Sequence, residues 1–403
     1  MATLSERILG APAGACVDRV VDRAYAMDGT GLLALQTFRL IGRPLAHADR
    51  LRLVFDHIVP ANNSETATLQ AELRRFASDS GIALCDVGEG ICHQLMGEGG
   101  VRPGDIVIGA DSHTCTLGAF GAFATGVGAT DMAAIWATGE TWLRVPETTN
   151  LRLSGRLGGG AEAKDLALAY VSHLGMDGAT YRAIEFTGEG VATLSMAGRL
   201  TCSNLAIEAG AKTGLFYADG ATREYLATFG VEAAPQAIED GDYAEVVEFD
   251  LEAIEPLVAV PHRVDSARPV DRVAGTSIDQ VFVGTCTNGR LEDLDRFAAA
   301  VKGRRVRVRT IVIPASRRVL ADAIRSGALE TIVEAGCTVG PPGCGPCLGT
   351  HLGVIGEGEV CLSTANRNFR NRMGVGGEIY LASVGTAAAS ALAGEIAPPE
   401  GAV

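Results

Sequence analysis

Short apolar runs separated by glycines and polar turns set the rhythm of this chain. Leu51-Arg52-Leu53-Val54-Phe55 reads as a strand, and Ala67 to Ser78 carries a helical period. Ile106-Val107-Ile108 is a buried-strand run within Asp105 to Ala110, and Thr130 to Leu143 is predicted to be helical. Leu151-Arg152-Leu153 and Ile184-Glu185-Phe186 predict strands on either side of a helix over Ala163 to Leu174, and another helix is predicted over Ser203 to Ala211. Further on, Val281-Phe282-Val283 and Val360-Cys361-Leu362 predict buried strands. Val306 to Ile313 predicts a strand with one wet face, and Arg317 to Ser326 a helix. Strands alternating with helices indicate an α/β fold. Breaks near Asn150 and around Pro256, Pro261 and Pro269 suggest three α/β domains, over residues 1–148, 149–262 and 263–403.

Several polar clusters stand immediately after a short apolar strand: Asp56-His57, Asp111-Ser112-His113, Cys286 and Asn366-Arg367. Open α/β sheets bind ligands at the carboxyl ends of their strands. These clusters are therefore expected to face one crevice.

Charge narrows the field. The 403 residues carry 34 basic and 48 acidic side chains, a net charge of −14, with no basic stripe. That argues against nucleic acid or an anionic membrane as partner. No apolar run approaches the ~18 residues a membrane span needs. The N-terminus lacks a basic start followed by an apolar core, so no signal peptide is expected. Ten cysteines in so long a chain are not the framework of a small secreted domain, and a reducing cytoplasm is the expected compartment. The glycine-spaced run from Gly118 to Gly128 matches neither a dinucleotide fingerprint nor a phosphate loop.

The candidate chemistry begins with Cys286 and the pair Cys344 and Cys347 in Cys344-Gly345-Pro346-Cys347. A Cys-x-x-Cys turn places two sulfurs close enough for one metal or cluster. Spacing alone gives an iron–sulfur cluster, a structural zinc and a redox pair equal standing. Zinc would need a fourth ligand, for which Cys337 and His351 are candidates. The remaining cysteines, Cys16, Cys85, Cys92, Cys115, Cys202 and Cys361, read as inert fillers.

Asp56-His57, Asp111 with His113, and His93 are acid–histidine groups. A carboxylate beside a histidine fixes its tautomer and favours its protonated form. The plain alternative is a helix cap after each strand. Asn366-Arg367-Asn368-Phe369-Arg370-Asn371-Arg372 is either a carboxylate clamp or a solvated basic turn. Asn204 and Glu208, four apart on a predicted helix, would share one face.

Taken together, the motifs resemble the aconitase superfamily, in particular the large subunits of 3-isopropylmalate dehydratase and homoaconitase. The resemblance rests on Asp56-His57-Ile58-Val59-Pro60, Gly90-Ile91-Cys92-His93-Gln94, Gly109-Ala110-Asp111-Ser112-His113-Thr114, Cys286-Thr287-Asn288-Gly289-Arg290, Cys344-Gly345-Pro346-Cys347 and Asn366-Arg367-Asn368-Phe369. These follow the family order over roughly residues 28 to 375.

The resemblance implies three α/β domains around a central [4Fe-4S] cluster on Cys286, Cys344 and Cys347. It implies reversible dehydration of a hydroxylated di- or tricarboxylate, with 3-isopropylmalate the favoured substrate and homoaconitate or another substituted malate the alternative. His57, supported by Asp56, resembles the proton donor. His93, Asp111, His113 and Glu208 resemble its catalytic network, and Ser112, Asn204, Asn366, Arg367 and Arg372 the substrate-binding set. The chain departs from the family pattern at Met27, Thr285 and Asn371, where His, Ser and Gly are usual.

Full-length relatives carry a fourth, swivelling domain. This chain is expected to lack it and to take it from a small subunit, as a heterodimer or heterotetramer. A different class of function, an RNA-binding relative without catalysis, is disfavoured by the charge of −14 and the intact acid–histidine and arginine clusters, and a zinc-stabilised structural protein is a third reading that zinc without acid-labile sulfide would favour.

Overall fold

The computed structural model describes residues 1–400. The first sheet is parallel and contains β1 (Arg23–Met27), β2 (Leu51–Val54), β3 (Ala83–Cys85), β4 (Ile106–Gly109) and β5 (Phe123–Gly126), in spatial order β3-β2-β1-β4-β5. The second, also parallel, contains β6 (Thr148–Ser154), β7 (Ala183–Thr187), β8 (Thr213–Phe216) and β9 (Glu245–Asp250), in order β8-β7-β6-β9.

The third contains β10 (Leu257–Ala259), β11 (Ala267–Pro269), β12 (Gln280–Val283), β13 (Arg309–Val312), β14 (Thr338–Val339), β15 (Val360–Ser363) and β16 (Glu378–Ala382). Its order is β11-β10-β16-β15-β12-β13-β14, and only β10 runs antiparallel to both neighbours. Strands buried on both faces account for the nearly unbroken apolar runs in β4 and β12. One core packs against the first sheet around Phe55 and Trp136, and another lies around Phe297 and Val312 of the third. The largest fills the second sheet and reaches Phe282 and Cys347, joining it to the third.

The elements depart from the sequence expectation at identifiable residues. The helix expected to reach Leu143 spans Ala129–Thr138 and stops at Gly139, which adopts φ 76°. Glu140–Arg144 instead pairs antiparallel with Cys16–Val20. The helix expected over Ser203 to Ala211 starts earlier, at Met196, because the Ser195 hydroxyl accepts the Gly198 N–H. It ends at Leu205, and Ala206–Ala209 is a tighter turn. Asn204 and Glu208 thus do not share the face of one α-helix. The wet-faced strand expected from Val306 is confined to Arg309–Val312.

One buried carboxylate gives this scaffold a pH signature. Glu185 on β7 accepts the Ser5 N–H and the Tyr217 O–H, both at 3.1 Å. Burial raises its carboxyl from 4.5 to about 7. The folded chain holds a proton that the unfolded chain releases, so stability is lost as pH rises from 4.5 through about 7. Glu185→Gln is expected to remove a loss of about 3 kcal/mol. Urea midpoints of the two proteins should then diverge across that window, with the variant the more stable above it.

Candidate active site

The sheets bring strand ends together. Asp56 and His57 follow β2. Asp56 is fully buried and makes three ties. Its Oδ1 lies 2.6 Å from His57 Nδ1, its Oδ2 accepts the Cys92 N–H at 2.7 Å, and its carbonyl accepts the Cys344 N–H at 2.8 Å. Asp28, after β1, accepts the N–H groups of His57 and Ile58 at 3.2 and 2.9 Å. The imidazole is therefore held from its ring and from its own backbone.

Asp111 follows β4 and is both a cap and part of the site. Its Oδ1 accepts the His113 N–H at 2.8 Å and lies 3.0 Å from His93 Nε2, while its Oδ2 lies 3.7 Å from His57 Nε2. His113 Nε2 stands 2.8 Å from Glu208 Oε1, and Arg367 Nε donates to the same oxygen at 2.7 Å. Burial opposes charge at all three ionisable centres, and the partners prevail. Burial alone would raise Asp111, but His93 and His113 hold it well below the ordinary carboxylate range. Burial likewise raises Glu208, yet His113 and Arg367 bring it down. Burial would lower His57, yet the Asp56 carboxylate 2.6 Å from its Nδ1 holds it well above the ordinary imidazole value.

The third sheet supplies the thiols. Cys286 follows β12, and Asn366 follows β15. Asn204 Nδ2 and Asn366 Nδ2 donate to Cys286 Sγ at 3.2 and 3.4 Å, and Arg372 Nη2 approaches Cys347 Sγ at 3.9 Å. Cys344 Sγ lies 4.0 Å from His57 Nδ1. A cavity of about 240 Å³ is lined by all three cysteines with His57, His93, Asp111, Ser112, His113, Asn366, Arg367 and Arg372. Asp56, Asn204 and Glu208 stand behind that lining and hold it through the bonds above. A larger cavity of about 500 Å³, beside Glu162 and Arg296, contains none of these groups.

The donor set suits a thiolate-bound group. Metal ligation requires deprotonated sulfur. Burial pushes the Cys344 thiol up to about 12, opposite to the shift of a redox-active thiol. Burial pushes the Cys286 thiol up as well, and the Asn204 N–H donor only opposes that rise. The fourth zinc ligands considered from sequence are elsewhere: Cys337 packs in the core around Phe297, and His351 Nε2 lies 2.5 Å from the Pro60 carbonyl. The cysteines read as fillers also divide. Cys92 lines the cavity and Cys16 is exposed.

Several residues of the site escape sequence reasoning. Lys164 Nζ donates to the carbonyls of Thr364 and Ala365, both at 2.7 Å, holding the loop that carries Asn366 and Arg367. Burial lowers its pKa to about 8. Its one sequence signal is a lysine inside an apolar helical stretch. Buried Arg290 donates to the carbonyls of Cys286 and Thr287, both at 2.6 Å, fixing the turn in which Thr285 adopts φ 69°. The departure at Asn371 has a physical reason. It adopts φ 63°, a conformation asparagine tolerates, and its Oδ1 accepts the Gly376 N–H at 3.0 Å.

The mixed α/β fold gathers thiols, acid–histidine pairs and arginines around one cavity. The model of the aconitase family (aconitate hydratase) matches residues 6–394, and this chain belongs to that family. The chain is 52% identical to the probable methanogen homoaconitase large subunit of Methanosarcina mazei, covering 94% of this chain and 98% of that protein. It is 46% identical to the 3-isopropylmalate dehydratase large subunit of Elusimicrobium minutum, with 98% of each covered. It is 47% identical to the homoaconitase large subunit of Thermus thermophilus, covering 99% of this chain and 97% of that one. Among solved structures, holo aconitase X of Thermococcus kodakaraensis shares the fold, with a TM-score of 0.54 at 16% identity over 87% of this chain and 84% of that one. No helix among the described residues is long and apolar enough to cross a membrane.

Proposed function

We propose that this chain is the large catalytic subunit of a [4Fe-4S] hydro-lyase that interconverts 2- and 3-isopropylmalate by dehydration and rehydration. The observation that carries this reading is the convergence of Cys286, Cys344 and Cys347 on one cavity with His57, Asp111, Arg367 and Arg372. Those three cysteines would hold the cluster, one fewer than a cubane ordinarily takes. When bound, the cluster supplies Lewis acidity towards the substrate's hydroxyl and carboxylate.

The chain's own residues do the rest. Hydroxide is a poor leaving group and needs a proton. His57, with Nδ1 fixed by Asp56, holds one at Nε2 towards the cavity. Arg367 is tethered through Nε to Glu208, which leaves its terminal nitrogens for a substrate carboxylate, and Arg372 offers a second clamp. Asn204 Oδ1 accepts from Asn366 Nδ2 at 3.0 Å and so orients Asn366 at the cavity wall, where the Ser112 hydroxyl is also available. Met27, Val127 and Leu348 give the same cavity an apolar wall that suits an isopropyl group.

A small partner subunit completes the site, as the names of the large-subunit relatives suggest, and contributes the base that removes the carbon-bound proton. The cytoplasm is the proposed compartment.

Homoaconitate is the second reading, favoured by the 52% identity to the Methanosarcina relative. The test is anaerobic purification with the small subunit, metal and sulfide analysis, and turnover on each substrate. Iron-loaded protein that turns over 3-isopropylmalate supports the first reading. Turnover of homoaconitate alone selects the second, and iron-loaded complex inert to both removes the two together.

A further inference from the structure

With Asp111 ionised, four hydrogen bonds behind the cavity admit one consistent set of proton positions. Thr114 Oγ1 lies 2.7 Å from the Asp111 carbonyl, which can only accept, so Thr114 donates there. Tyr25 Oη lies 2.9 Å from Thr114 Oγ1 and donates to it. The Tyr25 oxygen is then the acceptor for His93 Nδ1 at 2.8 Å, which must carry a proton. His93 Nε2 faces Asp111 Oδ1 at 3.0 Å, and an ionised carboxylate is acceptor-only, so Nε2 carries a proton as well.

We infer that Tyr25 and Thr114 are positioning residues that hold His93 as a doubly protonated imidazolium against the Asp111 carboxylate. The consequence for the reaction rests on the dehydratase reading above. A His93 cation fixed in this way exchanges no proton with substrate and leaves donation to His57.

The packing agrees. Tyr25 and Thr114 are fully buried, and a Cβ at Gly109 would collide with both, so the end of β4 must be glycine for this relay to close. Burial lifts the Tyr25 phenol well above its ordinary value, and it keeps the proton it donates. The groups facing His93 are Tyr25 from β1, Asp111 and His113 from the turn after β4, and Cys92 on its own helix, with Sγ 3.5 Å from Nδ1. Burial keeps that thiol protonated. Of these groups, Asp111 alone brings negative charge.

The test is NMR of the histidine ring nitrogens in the full chain, labelled with nitrogen-15 histidine before metal loading. The pH should lie well above the ordinary histidine range. His93→Gln assigns the signal. Both His93 nitrogens are expected to be protonated. Thr114→Val, nearly the same shape, removes the acceptor for Tyr25. The phenol proton then turns towards Nδ1, and the ring becomes neutral with Nδ1 bare. Thr114→Ser is expected to restore the imidazolium. A neutral His93 in the parent chain overturns the inference, even if the valine variant does not fold. So does a valine variant whose signal is unchanged. Failure of the dehydratase reading would appear separately, as an iron-loaded complex without turnover, and leaves the NMR result intact.

Discussion

Cys347→Ser is expected to strip the protein of cluster iron and sulfide and to take turnover to background. The parent chain should hold roughly four iron and four acid-labile sulfide. Cys347 closes the turn that begins at Cys344, with its N–H on the Cys344 carbonyl at 3.3 Å and its sulfur between Asn366 and Arg372. A serine oxygen fills nearly the same space but is a hard, weakly acidic donor, poorly matched to iron held by soft sulfur. The glycines around it are set by geometry and stay in place. A Cβ on Gly345 would run into Ile313, and one on Gly343 would meet the Asp56 carbonyl at 3.0 Å. The variant should therefore keep its far-ultraviolet circular dichroism while losing its metal. Full iron and sulfide in the variant would remove Cys347 from the ligand set. Zinc without sulfide in the parent would remove the cluster altogether.

Much of this site was legible because strand ends are local features. An apolar run followed by Asp-His, Asp-Ser-His, Cys or Asn-Arg marks both a buried parallel strand and the carboxyl end where ligands gather. β2, β4, β12 and β15 end where those patterns place them. What could not be read is what depends on distant packing. Tyr25 lies inside an apolar strand, and only the fold sets its hydroxyl beside His93. Lys164 meets carbonyls some two hundred residues along the chain. The Asn204–Glu208 pairing failed for a local reason: the Ser195 cap shifts the helix towards the N-terminus, so it gives way to a tighter turn before Glu208. Glu208 still reaches His113 and Arg367, from the tighter turn rather than from the helix. Gly139 likewise ends a helix whose apolar period continues past it in the sequence, because a left-handed glycine stops the hydrogen-bond ladder whatever follows.

His57→Gln is expected to lower kcat by about 10²–10⁴ while leaving iron and sulfide at the parent level. The magnitude follows from what the imidazole alone can do at its position. Its Nδ1 is committed to Asp56 at 2.6 Å, its backbone N–H to Asp28, and its Nε2 is turned to the cavity 3.7 Å from Asp111. A glutamine keeps a polar side chain at the wall and can still donate an amide N–H, but it cannot transfer a proton to departing hydroxide. The loss should therefore fall on kcat, while KM changes little, because Arg367 and Arg372 rather than His57 would hold the carboxylates. A KM rise with kcat intact would make His57 a binding group. A kcat within about tenfold of the parent, at equal iron content, would mean that the proton reaches the leaving group by another path. Asp111, adjoining both His57 and His93, would be the first residue to examine. Iron content must be measured on the same preparations, because Cys344 lies 4.0 Å from the substituted ring and a partial loss of metal would imitate a loss of acid catalysis.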